Sequence, residues 1–391
     1  MAKIVKTLID VVRDQYCGDL SIVPDDVGGS SLGYKVTKRR LEGGLRDAVD
    51  VIEVDNGMLK FIVLPQRGMG IWKAWLGGIE LGWKSPIKGP VHPHFVPVYD
   101  PAGLGWLAGF DELLCRCGLE SSGAPEFDER GVLKYPLHGK IANLPAHWVE
   151  VAIDGDSGEI SIAGAVDESR LHFQKLRLTS TITTKVGEAG LLIHDEVSNL
   201  SDSPGEFQML YHINFGAPLL EAGARVVVPV KMLVPRNERA AEGVQQWDSY
   251  PAAEAGFKEQ VYFVEPACGQ DGETQALLKN ASGTLGISMS FNTRQLPCFT
   301  LWKNTASVAD GYVTGLEPGT NFPNPRSYEK AQRRVVVLEP GESRSFDVRI
   351  EVHTDAAQVE RVEMAIAKLQ SGSEPRFCDQ PQPGWCADYG I

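Results

Sequence analysis

Long hydrophobic runs, positive charge and paired cysteines are all scarce in this sequence. No apolar run approaches the ~20 residues that a membrane-spanning helix needs, and charged residues interrupt the N-terminal stretch, unlike a signal peptide. Lys and Arg total 38 against 51 Asp and Glu, which gives a net charge of −13. This deficit of cations argues against a nucleic-acid partner and against docking on an anionic membrane.

The cysteines and glycines also lack the arrangements that mark other protein classes. Seven cysteines are an odd number spread over 391 residues, which predicts reduced thiols in a cytoplasmic protein. Neither the Gly-rich strand-to-helix turn of dinucleotide binders nor a P-loop is present, so no nucleotide cofactor is expected. A chain of this length can bury a sizeable core without disulfides or a structural metal.

The commonest pattern in the sequence is a short predicted strand followed by turn residues. Residues 49–64 form two apolar or alternating runs around Asn56-Gly57, a pair that predicts a type I′ hairpin turn. A second predicted hairpin follows, with two apolar runs on either side of Gly77-Gly78. Repeated short strands of this kind predict an antiparallel β-sandwich or barrel. No break in composition marks an interior linker, so we expect one large β domain.

Helical patterns are confined to the two ends of the chain. Residues 1–18 carry an apolar stripe broken by charges, which predicts an amphipathic helix. Residues 356–369 repeat apolar side chains at helical spacing, and Asp355 can cap that helix. The predicted organisation is an N-terminal helix and lead-in over 1–44, a β domain over 45–353, and a C-terminal helix with an irregular tail over 354–391.

Three ionisable residues lie beside Gly or Pro at the ends of predicted strands. His138 closes a Pro-, Gly- and aromatic-rich loop region over 84–136, His212 ends an apolar strand, and Glu317 precedes a Pro-Gly pair. Long ordered loops more often carry binding or catalytic residues than serve a purely structural role. Two histidines and a carboxylate can form an acid–base set near neutral pH. Taken one at a time, such residues are more often satisfied polar groups at strand ends.

The order of these motifs resembles the aldose 1-epimerase (galactose mutarotase) superfamily, and more closely its branch of epimerase-like proteins of unknown substrate. The resemblance rests on a Leu-His-Gly segment at 137–139, a His-x-x-Phe segment at 212–215 and a Glu-Pro segment at 317–318. It extends over roughly residues 45–353. It implies a galactose mutarotase-like β-supersandwich, all-β with a few peripheral helices.

The resemblance also implies an isomerase that opens a sugar ring and recloses it as the other anomer, acting on a free sugar or sugar acid without a cofactor. By similarity, Glu317 removes the proton from the C1 hydroxyl, His212 gives a proton to the ring oxygen, and His138 supports charge there. Ring opening of a hemiacetal needs one proton removed and one delivered, which a carboxylate and an imidazole can do.

Four further residues are predicted to bind substrate. The arginine segment that better-known mutarotases place before the first histidine is absent, and Arg67 is the nearest candidate, with a surface ion pair as the alternative. Asn143 follows the first motif. Asp248 lies between the second histidine and the glutamate, where family members use an aspartate. Arg326 could face an anionic group on substrate or form a structural ion pair, and Arg116 invites the same two interpretations.

Two other functions stay open at this point. His92 and His94 could bind a metal together with His138, which would suit an epimerase or isomerase of a ketose or keto-sugar. For this His-x-His pair a structural role is the favoured interpretation, so no metal is predicted. The other alternative is a carbohydrate-binding protein without catalysis. A small-molecule carbohydrate is the expected partner, and the sequence leaves a homo-oligomer open.

Overall fold

The computed structural model describes residues 3–27 and 33–388. Strands are the main regular structure and hold 43% of the residues, as the sequence predicted. The strands are β1 (Lys3–Asp10), β2 (Gln15–Tyr16), β3 (Leu20–Ile22), β4 (Lys35–Arg40), β5 (Asp50–Asp55), β6 (Leu59–Leu64), β7 (Gly70–Leu76), β8 (Ile79–Glu80), β9 (Leu114–Leu119), β10 (Glu126–Phe127), β11 (Leu133–Tyr135), β12 (Trp148–Asp154), β13 (Glu159–Ser169), β14 (Lys175–Lys185), β15 (Gly190–Asn199), β16 (Gly205–Phe215), β17 (Arg225–Val227), β18 (Val230–Pro235), β19 (Gln260–Pro266), β20 (Glu273–Lys279), β21 (Gly286–Asn292), β22 (Cys298–Thr305), β23 (Tyr312–Gly319), β24 (Val336–Leu338), β25 (Ser343–His353) and β26 (Arg376–Phe377).

Helices are short, with one exception at the C-terminal end. The α-helices of the described residues are α1 (Pro24–Val27), α2 (Glu238–Ala241), α3 (Arg326–Ala331) and α4 (Ala356–Gln370). The prediction of a C-terminal helix is confirmed. Oδ1 of Asp355 caps it by accepting a hydrogen bond from the backbone N–H of Gln358 at 2.8 Å. Its face of Val359, Val362 and Ile366 packs on the sheet at Leu277.

Two large sheets pack against each other. One has ten strands in the order β17-β20-β21-β25-β15-β14-β13-β12-β1-β2. The other has fourteen, in the order β26-β18-β19-β22-β23-β16-β9-β7-β6-β5-β4-β3, with β8 and β24 on its margins. Strands of both sheets alternate inward and outward side chains, and the inward apolar residues fill one continuous core between them. The supersandwich predicted from the family resemblance is confirmed.

A buried ion pair joins the two sheets through this core. Arg116 on β9 pairs with Asp195 on β15, with Nε and Oδ2 2.5 Å apart and neither side chain accessible to solvent. Tyr211 and Ser180 complete the network with hydrogen bonds of 2.9 Å and 2.7 Å. Of the two interpretations of Arg116, the structural ion pair is therefore the right one.

The prediction of an N-terminal helix is wrong. Lys3–Asp10 is strand β1, which pairs antiparallel with β12 at one end of the ten-stranded sheet. Its apolar residues Ile4 and Leu8 are four positions apart, and that spacing puts side chains on one face in a helix and in a strand alike. Positions 1 and 2 of the predicted helix lie outside the described residues.

Two other local predictions also need correction. The loop region 84–136 contains β9, a central strand whose residues are all buried. Its sequence, Leu-Cys-Arg-Cys-Gly-Leu, lacks the alternation that reveals a half-buried strand. The turn after β5 is not type I′, because Gly57 takes a positive φ of 88° and Asn56 does not, whereas type I′ puts positive φ at both residues of the pair. Asn56 caps the turn with its side-chain oxygen, 2.7 Å from the backbone N of Leu59.

Candidate active site

The site lies on the face of the fourteen-stranded sheet that points away from the ten-stranded sheet. Neighbouring strands β16, β23 and β22 supply its floor. Thr300 lies opposite Glu317, and Trp302 lies opposite Gly315, in the pairing of β22 with β23. Since residues two apart share a face, Thr300, Trp302 and Glu317 all point to this side. His212 joins them from β16.

His212 and Glu317 are in direct contact at this floor. Nε2 of His212 is 3.2 Å from Oε1 of Glu317, and the two side chains are 6% and 2% exposed. The two atoms are not aligned for a hydrogen bond, and Oε1 has no hydrogen-bond partner among residues 3–27 and 33–388. A buried carboxylate oxygen without a partner is costly unless something else occupies its lone pairs. The arrangement therefore leaves this oxygen ready for a ligand hydroxyl.

Asn214 fixes the orientation of the His212 ring. The amide of Asn214 donates to the backbone oxygen of Glu112 at 3.0 Å, so its oxygen must face the other way. That oxygen is 2.6 Å from Nδ1 of His212, which therefore carries hydrogen. In neutral His212 the lone pair is then on Nε2, the nitrogen that faces Glu317.

Burial shifts the pKa values of His212 and Glu317 in opposite directions, so that the pair shares one proton. Loss of solvation, then the neighbouring His138, lowers the pKa of His212 well below its ordinary value. Loss of solvation, with a smaller push from Glu259, raises the pKa of Glu317 well above its ordinary value. The charged form of each group is disfavoured in this surrounding. Burial therefore favours the proton on Glu317 and leaves His212 neutral.

His138 completes the trio that the sequence predicted. Its ring centroid is 5.3 Å from that of His212, at nearly a right angle. Its Nδ1 donates to the backbone oxygen of Ser122 at 2.9 Å, and its backbone takes a positive φ of 56°. Burial lowers the pKa of His138 to about 4. His138 is therefore neutral at pH 7, with Nε2 as a hydrogen-bond acceptor.

Aromatic side chains form the walls around the trio. Trp106 and Phe110, from the turn Gly105–Gly109 and the residue after it, pack 5.9 Å and 5.0 Å from the His212 ring. Trp302 lies 5.4 Å from it on another side. Nε1 of Trp106 and Oγ1 of Thr300, both buried, have no hydrogen-bond partner in the described chain. Flat apolar surfaces with a few unpaired polar atoms between them suit a sugar ring.

These walls belong to a cleft of about 1640 Å³ that opens to solvent. Its mouth is built from α2, residues 254–259, α3 and the C-terminal segment 381–388. Glu259 ties this mouth to the walls, because its carboxylate accepts from Nε1 of Trp302 at 2.7 Å and pairs with Arg236 at 2.8 Å. The indole of Trp302 is thereby held beside His212.

The structure does not bring the predicted substrate-binding residues Arg67 and Asn143 into the cleft. Arg67 is 1% exposed, and its guanidinium bonds to Glu112 at 2.6 Å and to the backbone oxygen of Gly109 at 2.7 Å. Asn143 accepts from the same guanidinium. These two residues lie behind the turn that carries Trp106 and support it through the backbone oxygen of Gly109.

Asp248 and Arg326 are also outside the cleft. Asp248 pairs with Arg225 at the end of the short strand β17. Arg326 pairs with Glu206 at 2.9 Å, and its guanidinium lies over the ring of Tyr135. The position of Asp248 between two motifs gave no information about the direction of its side chain. Arg67 and Arg326, like Arg116, are therefore in ion pairs within the protein.

Sequence reasoning missed the residues that shape the cleft most. Trp302 shares the strand pattern of β22 with Thr300, but only the pairing of β22 with β23 brings it beside Glu317. Arg236 follows β18 and Glu259 precedes β19, and the two residues are 23 positions apart in the chain. No local signal links them, since their meeting depends on the antiparallel pairing of β18 and β19.

The alternative metal site is not assembled in the described structure. His92 and His94 do not line the cleft, and Nδ1 of His92 accepts a hydrogen bond from the backbone N–H of His94 at 3.1 Å. Within residues 3–27 and 33–388, no group of three or more His, Cys, Asp or Glu side chains is placed to hold a metal ion. The three-histidine arrangement considered from the sequence is therefore wrong.

Comparison with known proteins identifies the family of this chain. The model of a family described as a domain of unknown function (DUF4432) matches residues 46–352. A provisionally assigned aldose 1-epimerase from Klebsiella pneumoniae is 35% identical, with a TM-score of 0.94 over 97% of this chain and 99% of that one. The chain belongs to the DUF4432 family of the aldose 1-epimerase superfamily. A search of curated protein sequences finds no match.

More distant members of the superfamily share the fold of this DUF4432 chain. A galactose 1-epimerase from Lactobacillus acidophilus has a TM-score of 0.55 at 13% identity, over 83% of this chain and 100% of that one. A galactose mutarotase-like protein from Clostridium acetobutylicum has a TM-score of 0.54 at 15% identity, over 83% of this chain and 99% of that one.

The described part of the chain holds no helix with the length and apolar character to span a membrane.

Proposed function

We propose that this protein is a carbohydrate epimerase of the aldose 1-epimerase type, which interconverts the anomers of a sugar by opening and reclosing its ring. The observation that carries the proposal is the contact between His212 and Glu317 at the aromatic floor of the cleft. An acid and a base 3.2 Å apart can serve two oxygens of one hemiacetal carbon. Membership of the superfamily supports the same reaction class.

The proton count of the pair fits this reaction. With sugar bound and the proton on Nε2 of His212, the Glu317 carboxylate removes the C1 hydroxyl proton. The electron pair of that O–H bond forms the carbonyl as the bond from C1 to the ring oxygen breaks. His212 delivers its proton to the ring oxygen. The pair then again holds one proton, now on Glu317, and reclosure on the other face of the carbonyl returns it to His212.

Sugar hydroxyls would make the starting protonation state accessible. Burial alone favours the neutral pair, whereas hydrogen bonds from sugar hydroxyls to the carboxylate favour its charged form. His138 would accept a hydroxyl at Nε2 instead of contributing charge, since burial lowers its pKa to about 4. This differs from the supporting charge that the family resemblance implies.

The cellular setting is part of the proposal. We place the reaction in a reducing compartment such as the cytoplasm, because all seven cysteines are free, five of them buried. No step above uses a thiol or a cofactor.

The test is anomer exchange measured by saturation-transfer NMR across a panel of monosaccharides and sugar acids. Exchange faster than in buffer alone for at least one sugar supports the proposal. Exhaustive chelation should leave the rate unchanged, since Glu317 and His212 supply both proton transfers. Activity lost on chelation and restored by a divalent ion would contradict the mechanism. Binding without exchange for every sugar would favour a carbohydrate-binding protein.

A further inference from the structure

The cleft is larger than a single sugar ring requires. Pockets for drug-sized ligands usually measure roughly 300–1,000 Å³, whereas this cleft measures about 1640 Å³. A monosaccharide seated at Glu317 would leave much of that volume to water. The remaining volume lies toward the mouth, between residues 236–259 on one side and α3 with segment 381–388 on the other.

Burial shows which end of a longer sugar would be inside. Glu317 and His212 are 2% and 4% exposed, whereas Gln332, Glu259 and Asp388 at the mouth are exposed. The proposed reaction takes place at C1, which is the reducing end. Further rings attached to the other carbons would therefore extend outward along the cleft. The depth of the acid–base pair suits a chain that enters reducing end first.

The mouth offers groups that recognise a neutral ring. Tyr328 and Gln332 face the cleft from α3 and the residue after it. Phe257 faces it from the other side, with the guanidinium of Arg239 5.0 Å from its ring centroid. Aromatic faces stack on sugar rings, and an exposed amide can exchange water for ring hydroxyls.

Charge in the cleft disfavours an anionic sugar. The carboxyl side chains that line it outnumber the cations, six to three. Two of those cations are already paired, Arg236 with Glu259 at 2.8 Å and Arg239 with Glu242 at 2.6 Å. The third, Lys258, is exposed. No cleft arginine is thus left to hold a carboxylate or phosphate, and the net charge of −13 repels one.

We propose that the substrate is an uncharged saccharide of at least two rings, with its reducing ring at Glu317 and His212 and the next ring at the mouth against Phe257, Tyr328 and Gln332. This inference rests on the proposed function for the placement of the reducing end. It narrows the free sugar or sugar acid of the sequence analysis to a neutral oligosaccharide.

The experiment compares anomer exchange in matched sugars. Glucose, galactose, mannose and xylose are each tested beside the homodisaccharide built from them, and glucuronate and galacturonate are the anionic probes. In the best series we expect kcat/KM for the disaccharide to exceed that for the monosaccharide by about tenfold. The uronate should be slower than its neutral sugar by about tenfold, with a smaller gap at high salt. A monosaccharide preference, or a faster uronate, would overturn the inference while leaving the epimerase function intact.

Two glutamine variants test whether the mouth of the cleft determines the preference for a disaccharide. Gln332→Ala should lower the ratio of disaccharide to monosaccharide kcat/KM, whereas Gln245→Ala, an exposed glutamine outside the cleft, should keep the parent ratio. If no probe undergoes exchange, the proposed function fails, and saturation-transfer difference NMR of the same probes then tests the inference alone. Tighter binding of the neutral disaccharides would support it, and equal binding or no binding would overturn it.

Discussion

Glu317 is the residue on which the proposed chemistry most depends. Glu317→Gln keeps the shape and hydrogen-bonding capacity of the side chain but cannot accept the C1 proton. We expect sugar binding to persist while anomer exchange falls by ~10²–10⁴-fold, the usual contribution of a positioned base. Exchange NMR and titration calorimetry on parent and variant measure the two effects. Glu360→Gln, on the exposed face of α4, is the matched control. Exchange at the parent rate in Glu317→Gln would remove this mechanism.

The pH dependence of the rate follows from the one proton that His212 and Glu317 share. A second proton would have to go to His212, whose pKa burial lowers well below its ordinary 6.5. Loss of the only proton would have to overcome the raised pKa of Glu317. We therefore expect kcat/KM to stay level as pH falls through 6.5 and to decline only at lower pH. A rate that halves near 6.5 would indicate a solvated histidine and contradict the buried pair.

The two histidines should differ in importance. His212→Asn keeps a hydrogen-bonding side chain but removes the proton donor, so exchange should fall by ~10²–10⁴-fold. His138→Asn removes only an acceptor beside the reacting groups, and its loss should be smaller, about tenfold. Both rates come from the same exchange experiment, with sugar affinity measured in parallel. Equal and unimpaired rates in the two variants would mean that the histidines are structural.

The proximity of His138, His212 and Glu317 could be predicted from the sequence, and their surroundings could not. His138, His212 and Glu317 stand in short segments whose neighbours are informative. Arg67 and Asp248 were assigned by position alone, and both turned out to be in ion pairs away from the cleft. The direction of a side chain depends on which strand lies beside it, and strand pairing at long range is not encoded in local spacing.

At the scale of elements, β1 illustrates why the N-terminal segment was misread. A charged residue at every third or fourth position satisfies a helical pattern, but a strand near the edge of a sheet, with only the two-residue strand β2 beyond it, tolerates the same charges on its exposed face. The pairing with β12 decides the outcome, and that partner lies more than 130 residues further along the chain. In contrast, α4 has its cap and its apolar face within one segment and was predicted correctly.

The position of β1 leads to a stability prediction. Leu8 is fully buried in the core between the sheets, so Leu8→Ala should lower the free energy of unfolding by about 2–5 kcal/mol. Val12, four residues later, is 87% exposed, and Val12→Ala should change stability by no more than about 0.5 kcal/mol. Denaturant titration of both variants gives the comparison. Equal stability in the two would mean that β1 does not contribute to the core.

At the scale of the whole molecule, the Arg116–Asp195 pair connects the two sheets where neither side chain is accessible to water. Asp195→Asn keeps the shape but leaves the guanidinium of Arg116 charged without its partner. Breaking a buried ion pair in this way typically costs about 3–5 kcal/mol. Asp156→Asn, in an exposed turn, is the matched control and should be neutral. Thermal or denaturant unfolding measures both, and a stable Asp195→Asn protein would mean that the pair is dispensable.

The alternation of side chains along β16 has a practical consequence for engineering. Tyr211 points to the inter-sheet ion pair, and the next residue, His212, points to the cleft. A library that randomises this strand would therefore alter core packing and chemistry together, and most of its members would be lost to misfolding. The mouth lies on α2, α3 and the C-terminal segment, which hold few core residues. New sugar specificities should be selected there, on a floor that is left untouched.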